Sequence, residues 1–220
     1  MVIAIDGMSA TGKSTLAFNL AKELGLTYLN SGSIYRCVAL KIMSGEININ
    51  NDEEFYQAIV NMDIKFKIED NIQKVFLDNI DVTTKIKLEE VSVFTPKYAG
   101  TAPMKKGIRH IQKQFVDNGC VVIEGRDIGT VIAPNADYKF YLYASLDKRA
   151  DRLYETIKDK QNVTREEVYI NLKNRDDKDI EDNSFIKPAN AIEIDTTNLS
   201  IEEVLEIMLS HIKRGWYIWT

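Results

Sequence analysis

Apolar residues along this chain occur either in short continuous runs or at intervals of three to four positions. Residues 2–5 form a run typical of a buried parallel strand, and Leu16, Leu20 and Leu24 then recur on one helical face. Further strands are predicted at 27–29, 120–124, 138–143 and 191–195, and helices at 34–43, 103–118, 147–160, 164–174 and 200–213. Strands that alternate with helices predict an α/β fold around a parallel sheet.

One stretch follows a different period. Residues 63–68 and 73–77 alternate apolar with charged or polar positions, the polar turn 69–71 separates them, and 80–83 could add a third strand. Alternation with a period of two, joined by a polar turn, predicts a small antiparallel sheet with one solvated face. We interpret residues 63 to about 100 as an insertion into the α/β core.

Composition narrows the classes of function. A chain of 220 residues with 28 basic and 33 acidic residues has a net charge of −5, which disfavours a general nucleic-acid binder. Any site for a small anion must then be a local cluster of Lys and Arg. No apolar run approaches 18 residues, and the N-terminus lacks the basic region of a signal peptide. We expect a cytoplasmic protein without nucleic-acid or membrane partners.

The strongest chemical signal directly follows the first predicted strand. Residues 7–14 match the pattern G-x-x-x-x-G-K-[ST] at every fixed position, between a strand and an amphipathic helix. The glycines let backbone N–H groups turn toward phosphate oxygens, Lys13 can reach the β- and γ-phosphates, and the Ser14 hydroxyl can ligate Mg²⁺. The predicted ATP-binding residues are Gly7, Met8, Ser9, Ala10, Thr11, Gly12, Lys13, Ser14 and Thr15.

A phosphate loop does not identify the reaction, but the arginines narrow it. An Asn-Lys-x-Asp guanine reader is missing, and a small kinase needs further cations for a phosphate acceptor. Arginines cluster at four places, namely Arg36, Arg126, the pair Arg149 and Arg152, and Arg175. Arg126 directly follows an apolar strand, where ligands of open α/β sheets bind. Two structural alternatives to phosphate binding stay open for these arginines. Arg126 could form a local salt bridge with Asp127, and Arg149 and Arg152 could form surface ion pairs with Asp147 and Asp151.

Together these segments resemble the cytidylate kinase family. The phosphate loop and the segments 30–36, 124–130, 145–152 and 175–179 occur in that family's order and at nearly its spacing. The resemblance implies transfer of the ATP γ-phosphoryl group to CMP or dCMP, with Mg²⁺. It also implies a P-loop NTPase three-layer fold with a parallel five-stranded sheet, a small inserted antiparallel β subdomain and a short helical lid.

The same resemblance implies a division of labour along one P-loop kinase domain, which we expect to be a monomer. The core would comprise about 1–30, 103–145 and 185–220, the acceptor-binding insertion about 31–102, and the lid about 147–183. Catalysis is expected from Lys13, Arg126, Arg149 and Arg152. The expected acceptor-binding residues are Ser31, Tyr35, Arg36, Lys106, Arg109, Arg126, Asp127, Arg175 and Asp179.

Some positions depart from the family's pattern. Asn30 replaces a common Asp, Thr95 is the hydroxyl nearest to an expected Ser, Lys106 replaces an Arg, and Asp182 stands where an Arg is usual. Lys lacks the planar fork of Arg, so the change at residue 106 is not conservative. Since these changes concern the acceptor half, two alternatives stay open: a related kinase with another small acceptor, and a nucleotide-binding regulatory homologue with low turnover.

Other features are predicted to be structural. Cys37 and Cys120 read as packing thiols, and with His110 and His211 they lack the spacing of a zinc site. The acidic pair Asp176 and Asp177 is predicted to form a solvated helix face.

Overall fold

The computed structural model describes residues 1–159, 161–181 and 186–216, and for residues 179 and 213–216 it describes the backbone only. The chain divides into two compact units. The first unit consists of Met1–Leu24 and Val122–Thr220, and the second consists of Gly25–Val121. Within the described residues, no helix is both long and apolar enough to span a membrane.

The described strands are β1 (Val2–Gly7), β2 (Thr27–Asn30), β3 (Ile64–Glu69), β4 (Ile72–Leu77), β5 (Ile80–Asp81), β6 (Val121–Gly125), β7 (Tyr138–Tyr143) and β8 (Ile192–Asp195). The described helices are α1 (Lys13–Leu24), α2 (Ser31–Met43), α3 (Asp52–Val60), α4 (Glu89–Phe94), α5 (Pro96–Ala99), α6 (Ala102–Asn118), α7 (Leu146–Ile157), α8 (Arg165–Glu181) and α9 (Ile201–Trp216). A 3₁₀ turn at Lys85–Lys87 and a π-helical turn at Ile128–Ile132 complete the regular structure.

A parallel sheet forms the core, as the alternating pattern predicts. Its five strands have the order β2-β6-β1-β7-β8, and β7 pairs in parallel with both β1 and β8. Ile5 lies opposite Phe140, and Leu142 lies opposite Ile194. The inner strands β1 and β6 are covered on both faces and almost fully buried, which is why they read as short apolar runs, whereas Tyr143 on β7 and Asp195 on β8 are exposed.

Helices of the first unit bury the faces that their periodicity indicates. Helix α1 starts directly after the phosphate loop and buries Leu16 and Leu20, and α9 packs against it. Helices α7 and α8 pack on each other through Ala150, Val168 and Leu172. A narrow apolar stripe therefore suffices to join α7 and α8, although both helices are mostly polar.

The second unit contains the predicted antiparallel sheet, with strand order β3-β4-β5. Phe66 lies opposite Val75, and Ile64 lies opposite Leu77. These four side chains are buried, whereas Lys65 on the other face is exposed. The turns between strands use residue pairs 70–71 and 78–79 with φ between 50 and 65°, as tight hairpins require.

Helical structure in the second unit exceeds the prediction. Helix α3 was not predicted, although Asn51 caps it by accepting hydrogen bonds from the backbone N–H groups of Glu53 and Glu54. Its apolar anchors are only Phe55 and Ile59, so the helix period is short and easily missed. Residues 85–99, expected to belong to a β insertion, form the 3₁₀ turn, α4 and α5.

Cys120 corrects another expectation. The strand begins at Val121, and Cys120 precedes it as an exposed residue with φ of 55°. Its thiol is therefore not a packing group, whereas Cys37 is buried as predicted.

The close packing of α6 on α3 predicts that a side chain at Gly107 lowers the stability of the protein. A Cβ on Gly107 of α6 would lie 2.7 Å from Cγ2 and 2.9 Å from Cβ of Ile59. We expect Gly107→Ala to lower the free energy of unfolding by about 1–2 kcal/mol, because overpacking outweighs the better helix propensity of Ala. Urea unfolding measures this change. The control is Gly100→Ala, where a Cβ would meet nothing within 4 Å, and an equal effect of both variants would contradict the packing argument.

Candidate active site

The phosphate loop joins β1 to α1 in a path that only a glycine at its start permits. A Cβ on Gly7 would lie 2.2 Å from the carbonyl oxygen of Leu142, the residue paired with Gly7 across the sheet. Ala10 and Gly12 have φ of 61° and 94°, so the loop turns twice through left-handed backbone. It then enters α1, where the N–H of Leu16 donates to the carbonyl of Gly12 at 3.0 Å.

Lys13 folds back across this loop. Its Nζ donates a hydrogen bond to the carbonyl oxygen of Met8 at 2.6 Å. Burial lowers the pKa of Lys13 to about 8; the charge of Glu124 counteracts this shift, and the positive charges of Arg126 and Arg175 add to it. An anion placed in the loop would relieve the repulsion among these three cations.

Ser14, the predicted Mg²⁺ ligand, lies beside a carboxylate that the sequence reading did not assign. Its hydroxyl donates to Oε1 of Glu124 at 3.1 Å, and Glu124 is a buried residue near the end of β6. Mg²⁺ prefers hydroxyl and carboxylate oxygens and often completes its shell with water and substrate phosphates. The pair therefore fits Mg²⁺ bound together with a triphosphate. Among described residues, no cluster of three or more His, Cys, Asp or Glu could hold a metal without such help.

Arg126 reaches the phosphate loop from the end of β6. Its guanidinium donates to Oγ of Ser9 at 3.1 Å. Asp127 follows, and the π-helical turn begins at Ile128. The structure thus brings Arg126 to the loop that holds Lys13, as its position directly after a buried strand predicts.

Asp6 is a second residue that the sequence reading missed. It lies at the end of β1 and is 1% exposed, and its two carboxylate oxygens accept hydrogen bonds from the backbone N–H groups of Ile128 and Gly129. Burial raises the pKa of Asp6 to about 6, against the effect of these hydrogen bonds. An acidic residue closing an apolar strand directly before a phosphate loop was the available signal.

Arg149 does not form a surface ion pair with the acidic residues of its own helix. It is 4% exposed and donates to the carbonyls of Ala144 at 3.1 Å and Ser9 at 3.4 Å, and to Oδ2 of Asp176 at 2.7 Å. Asp176 is therefore buried in α8, 7% exposed, which corrects its assignment to a solvated face. Its Oδ1 has no hydrogen-bond partner within the part of the chain that the structure describes. Asp177 is exposed as predicted.

Arg152 is likewise held by backbone oxygens. It donates to the carbonyl and hydroxyl of Thr196 and to the carbonyl of Leu199, and the Thr196 hydroxyl donates to the carbonyl of Thr11 in the phosphate loop. The acids considered as its partners, Asp147 and Asp151, pair instead with Arg165, at 2.9 and 3.0 Å.

An open cavity of about 840 Å³ lies beside the phosphate loop in the first unit. Its walls come from the loop and α1 (Ala10, Gly12 and Thr15), from α7 (including Arg152 and Glu155), and from residues 197–201. The volume suits a ligand of nucleotide size.

Helix α2 in the second unit carries three of the predicted acceptor residues. Ser31 accepts a hydrogen bond from Nε2 of Gln112 at 2.8 Å, and Tyr35 and Arg36 lie half-buried one turn further along. Asn30 caps the helix, since its Oδ1 accepts from the Ser33 N–H at 3.0 Å. Asn and Asp cap helices about equally well, so the departure at residue 30 preserves the start of α2.

Lys106 and Arg109 both lie exposed on α6. The Lys106 Nζ is 4.2 Å from the centre of the Tyr56 ring, in a cation–π contact. Thr95, the hydroxyl nearest to the expected Ser, donates to the carbonyl of Val91 at 2.6 Å and so serves its own helix end.

The remaining predicted acceptor residues lie on α8. Arg175 is exposed and close enough to influence the charge of Lys13. The side chain of Asp179 and the whole of Asp182 lie outside the described residues.

Comparison with known proteins shows the family and the fold of this chain. The sequence profile of the family described as cytidylate kinase matches residues 3–214. A cytidylate kinase from Fusobacterium nucleatum is 34% identical and covers 97% of this chain and 98% of its own length. One from Thermosipho melanesiensis is 40% identical, with 96% of each chain covered. The crystal structure of a shikimate kinase from Bacteroides thetaiotaomicron has the same fold, with a TM-score of 0.52, 11% identity, and coverage of 97% of this chain and 98% of its own.

The burial of the Arg149–Asp176 ion pair predicts that the protein loses stability when Asp176 loses its charge. We expect Asp176→Asn to lower the free energy of unfolding by about 3–5 kcal/mol, because it leaves the buried guanidinium without a counter-charge. The neighbouring Asp177→Asn is the matched control, and we expect it to stay within about 0.5 kcal/mol of the original chain. Urea unfolding of both variants measures the difference, and equal values would contradict a buried ion pair.

Proposed function

Because this chain belongs to the cytidylate kinase family, we propose that it transfers the γ-phosphoryl group of ATP to CMP or dCMP, giving ADP and CDP or dCDP. The structural observation that carries the proposal is the set of cations at one phosphate loop. Lys13 and Arg126 bond to the loop directly, and Arg149 contacts it through the carbonyl of Ser9.

The chemistry requires placement and charge stabilisation more than proton transfer. The nucleophile is an oxygen of the acceptor phosphate, which is mostly dianionic at neutral pH because the second pKa of a phosphomonoester is about 6. No general base is needed. Two mutually repelling anions must be held in line, and negative charge on the transferring group must be stabilised by fixed cations.

We assign the donor site to the phosphate loop and the adjoining cavity. The triphosphate would lie along Gly7–Thr15, with Lys13 exchanging the Met8 carbonyl for β- and γ-phosphate oxygens. The adenosine would occupy the cavity between α7 and residues 197–201. Ser14 and Glu124 would hold Mg²⁺ with the phosphates, and the ion supplies positive charge for the β- and γ-oxygens.

We propose that the acceptor binds to the residues that the family's pattern assigns to it. Arg36 and Arg126 would hold the monophosphate, since guanidinium groups bind phosphate in a bidentate manner. Asp127 would face the cytosine, and Arg175 and Asp179 would bind ribose and phosphate. The other acceptor residues of this proposal are Ser31, Tyr35, Lys106 and Arg109.

Helices α7 and α8 form most of the proposed lid, about residues 147–183. Arg149 and Arg152 would stabilise the transferring phosphoryl group from this lid. Two contacts support this role: Arg149 donates to the carbonyl of Ser9 in the phosphate loop, and Arg152 donates to Thr196, which in turn donates to the carbonyl of Thr11. We further propose that the enzyme acts as a cytoplasmic monomer, without a nucleic-acid or membrane partner.

A panel of acceptors tests the proposed function. With ATP and Mg²⁺, ADP release should be fastest with CMP or dCMP among CMP, dCMP, UMP, AMP and GMP, measured in a coupled assay. Preference for UMP or AMP would favour a related kinase with a shifted acceptor. Turnover that no acceptor stimulates would favour the regulatory homologue.

Replacing the lysine of the loop tests the donor site. We expect Lys13→Ala to lower turnover by about 10²–10³-fold, because a positioned charge that stabilises the transition state is lost. Circular dichroism should show an intact fold. Lys22→Ala, on the exposed last turn of the same helix, is the control with unchanged turnover. Near-normal activity of Lys13→Ala would remove the lysine from the mechanism.

A further inference from the structure

Asp6 is a buried carboxylate that the proposed reaction leaves without a role. It directly precedes Gly7, the first residue of the phosphate loop, and is 1% exposed. Its Oδ1 accepts from the N–H of Ile128 at 2.8 Å, and its Oδ2 accepts from the N–H of Gly129 at 2.7 Å. Both oxygens are thus used to hold the start of the π-helical turn.

That turn begins at Ile128, and Asp127 alone separates it from Arg126, whose guanidinium donates to Oγ of Ser9 at 3.1 Å. The end of β1 therefore positions both the phosphate loop and the segment that carries Arg126. Its backbone continues into the phosphate loop, and the Asp6 carboxylate fixes the segment from which Arg126 extends. Any shift of this segment relative to β1 would move Arg126 relative to the phosphate loop.

Gly129 shows independently that the turn fits closely around the carboxylate. A Cβ there would lie 3.0 Å from Oδ2 of Asp6 and 2.7 Å from Cγ of Pro188. A residue with a side chain would push the backbone N–H away from the oxygen that accepts it. The short contact thus depends on glycine at this position.

Only a carboxylate satisfies this geometry fully. Two backbone donors face the two side-chain oxygens, whereas an amide offers one acceptor and would turn an NH₂ group toward the second N–H. Burial of the charge is unfavourable, since it raises the pKa of Asp6 to about 6. The buried carboxylate therefore fixes the position of the π-helical turn, and the burial of its charge lowers the stability of the protein.

We propose that Asp6 is a positioning residue for the phosphate acceptor, acting by holding Arg126 in place beside the phosphate loop. This inference rests on the proposed function, because it takes Arg126 as the group that binds the acceptor monophosphate. Asp6 itself would contact neither substrate, because both of its oxygens accept hydrogen bonds from the turn. Its loss should weaken use of the acceptor much more than use of ATP.

A double-mutant cycle tests the proposal. The original chain, Asp6→Asn, Arg126→Ala and the double variant are compared by steady-state kinetics, with CMP varied at saturating ATP and the reverse. We expect Asp6→Asn to raise KM for CMP about tenfold and to change KM for ATP less than about twofold. In the Arg126→Ala background, Asp6→Asn should change KM for CMP less than about twofold, because the group through which it acts is gone.

Several results would overturn the proposal. They are additive effects in the cycle, an equal rise of both KM values, or a KM for CMP within about twofold of the original chain in Asp6→Asn. Asp137→Asn is the control, since Asp137 also accepts a backbone N–H of β1, that of Val2 at 2.6 Å, but at the opposite end of the strand. We expect its KM values to be unchanged.

Stability separates positioning from a general structural role. At pH 7, relief of the buried charge and loss of one hydrogen bond in Asp6→Asn should nearly cancel, so its urea midpoint should stay close to the original. If this variant does not fold, Gly129→Ala displaces the same N–H from the other side, and the same KM pattern is required of it. If the original chain prefers another monophosphate, the proposed function fails, and the cycle measured with that acceptor still decides the role of Asp6.

Discussion

The close approach of two neighbouring strands determines how the phosphate loop can be built. Where β1 ends, the backbone of Gly7 lies so near the carbonyl of Leu142 that a Cβ would be only 2.2 Å from its oxygen. The pairing of β1 with β7 therefore excludes every side chain at the first loop position. The phosphate loop starts at this contact and leads into α1 at Lys13, and the Asp6 carboxylate lies directly before it.

Around that loop, the positive charges are held by local partners. Lys13 bonds to a carbonyl of the loop, Arg149 bonds to two carbonyls and to Asp176, and Arg152 bonds to the segment after β8. These bonds hold the cations in place in a buried site, where burial lowers the pKa of Lys13 to about 8 and the charges of Arg126 and Arg175 lower it further. A chain with a net charge of −5 can thus present a cationic site, because the site is assembled from individually held groups and not from a basic surface.

Two departures from the family's pattern, at residues 30 and 106, are accommodated by local contacts. Asn30 keeps the cap of α2, because an amide oxygen accepts the Ser33 N–H as a carboxylate would. Lys106 lacks the fork of Arg, and its ammonium group instead lies over the ring of Tyr56 from α3. Neither change touches the phosphate loop. This agrees with a chain whose donor half keeps the family's pattern while its acceptor half varies.

The sequence alone predicts the order of the strands, the six longer helices α1, α2, α6, α7, α8 and α9, the small antiparallel sheet, the phosphate loop and the place of Arg126, because these depend on local periodicity and on motifs of fixed spacing. It did not reveal the short helices α3, α4 and α5, the exposure of Cys120, the burial of Asp176 or the contacts of Asp6 and Glu124. Those depend on groups far apart in the chain: Asp6 meets Gly129, Ser14 meets Glu124, and Arg149 meets Asp176. Only the folded sheet brings such pairs together, so which charges are buried and which partners hold them depends on the packing of distant segments.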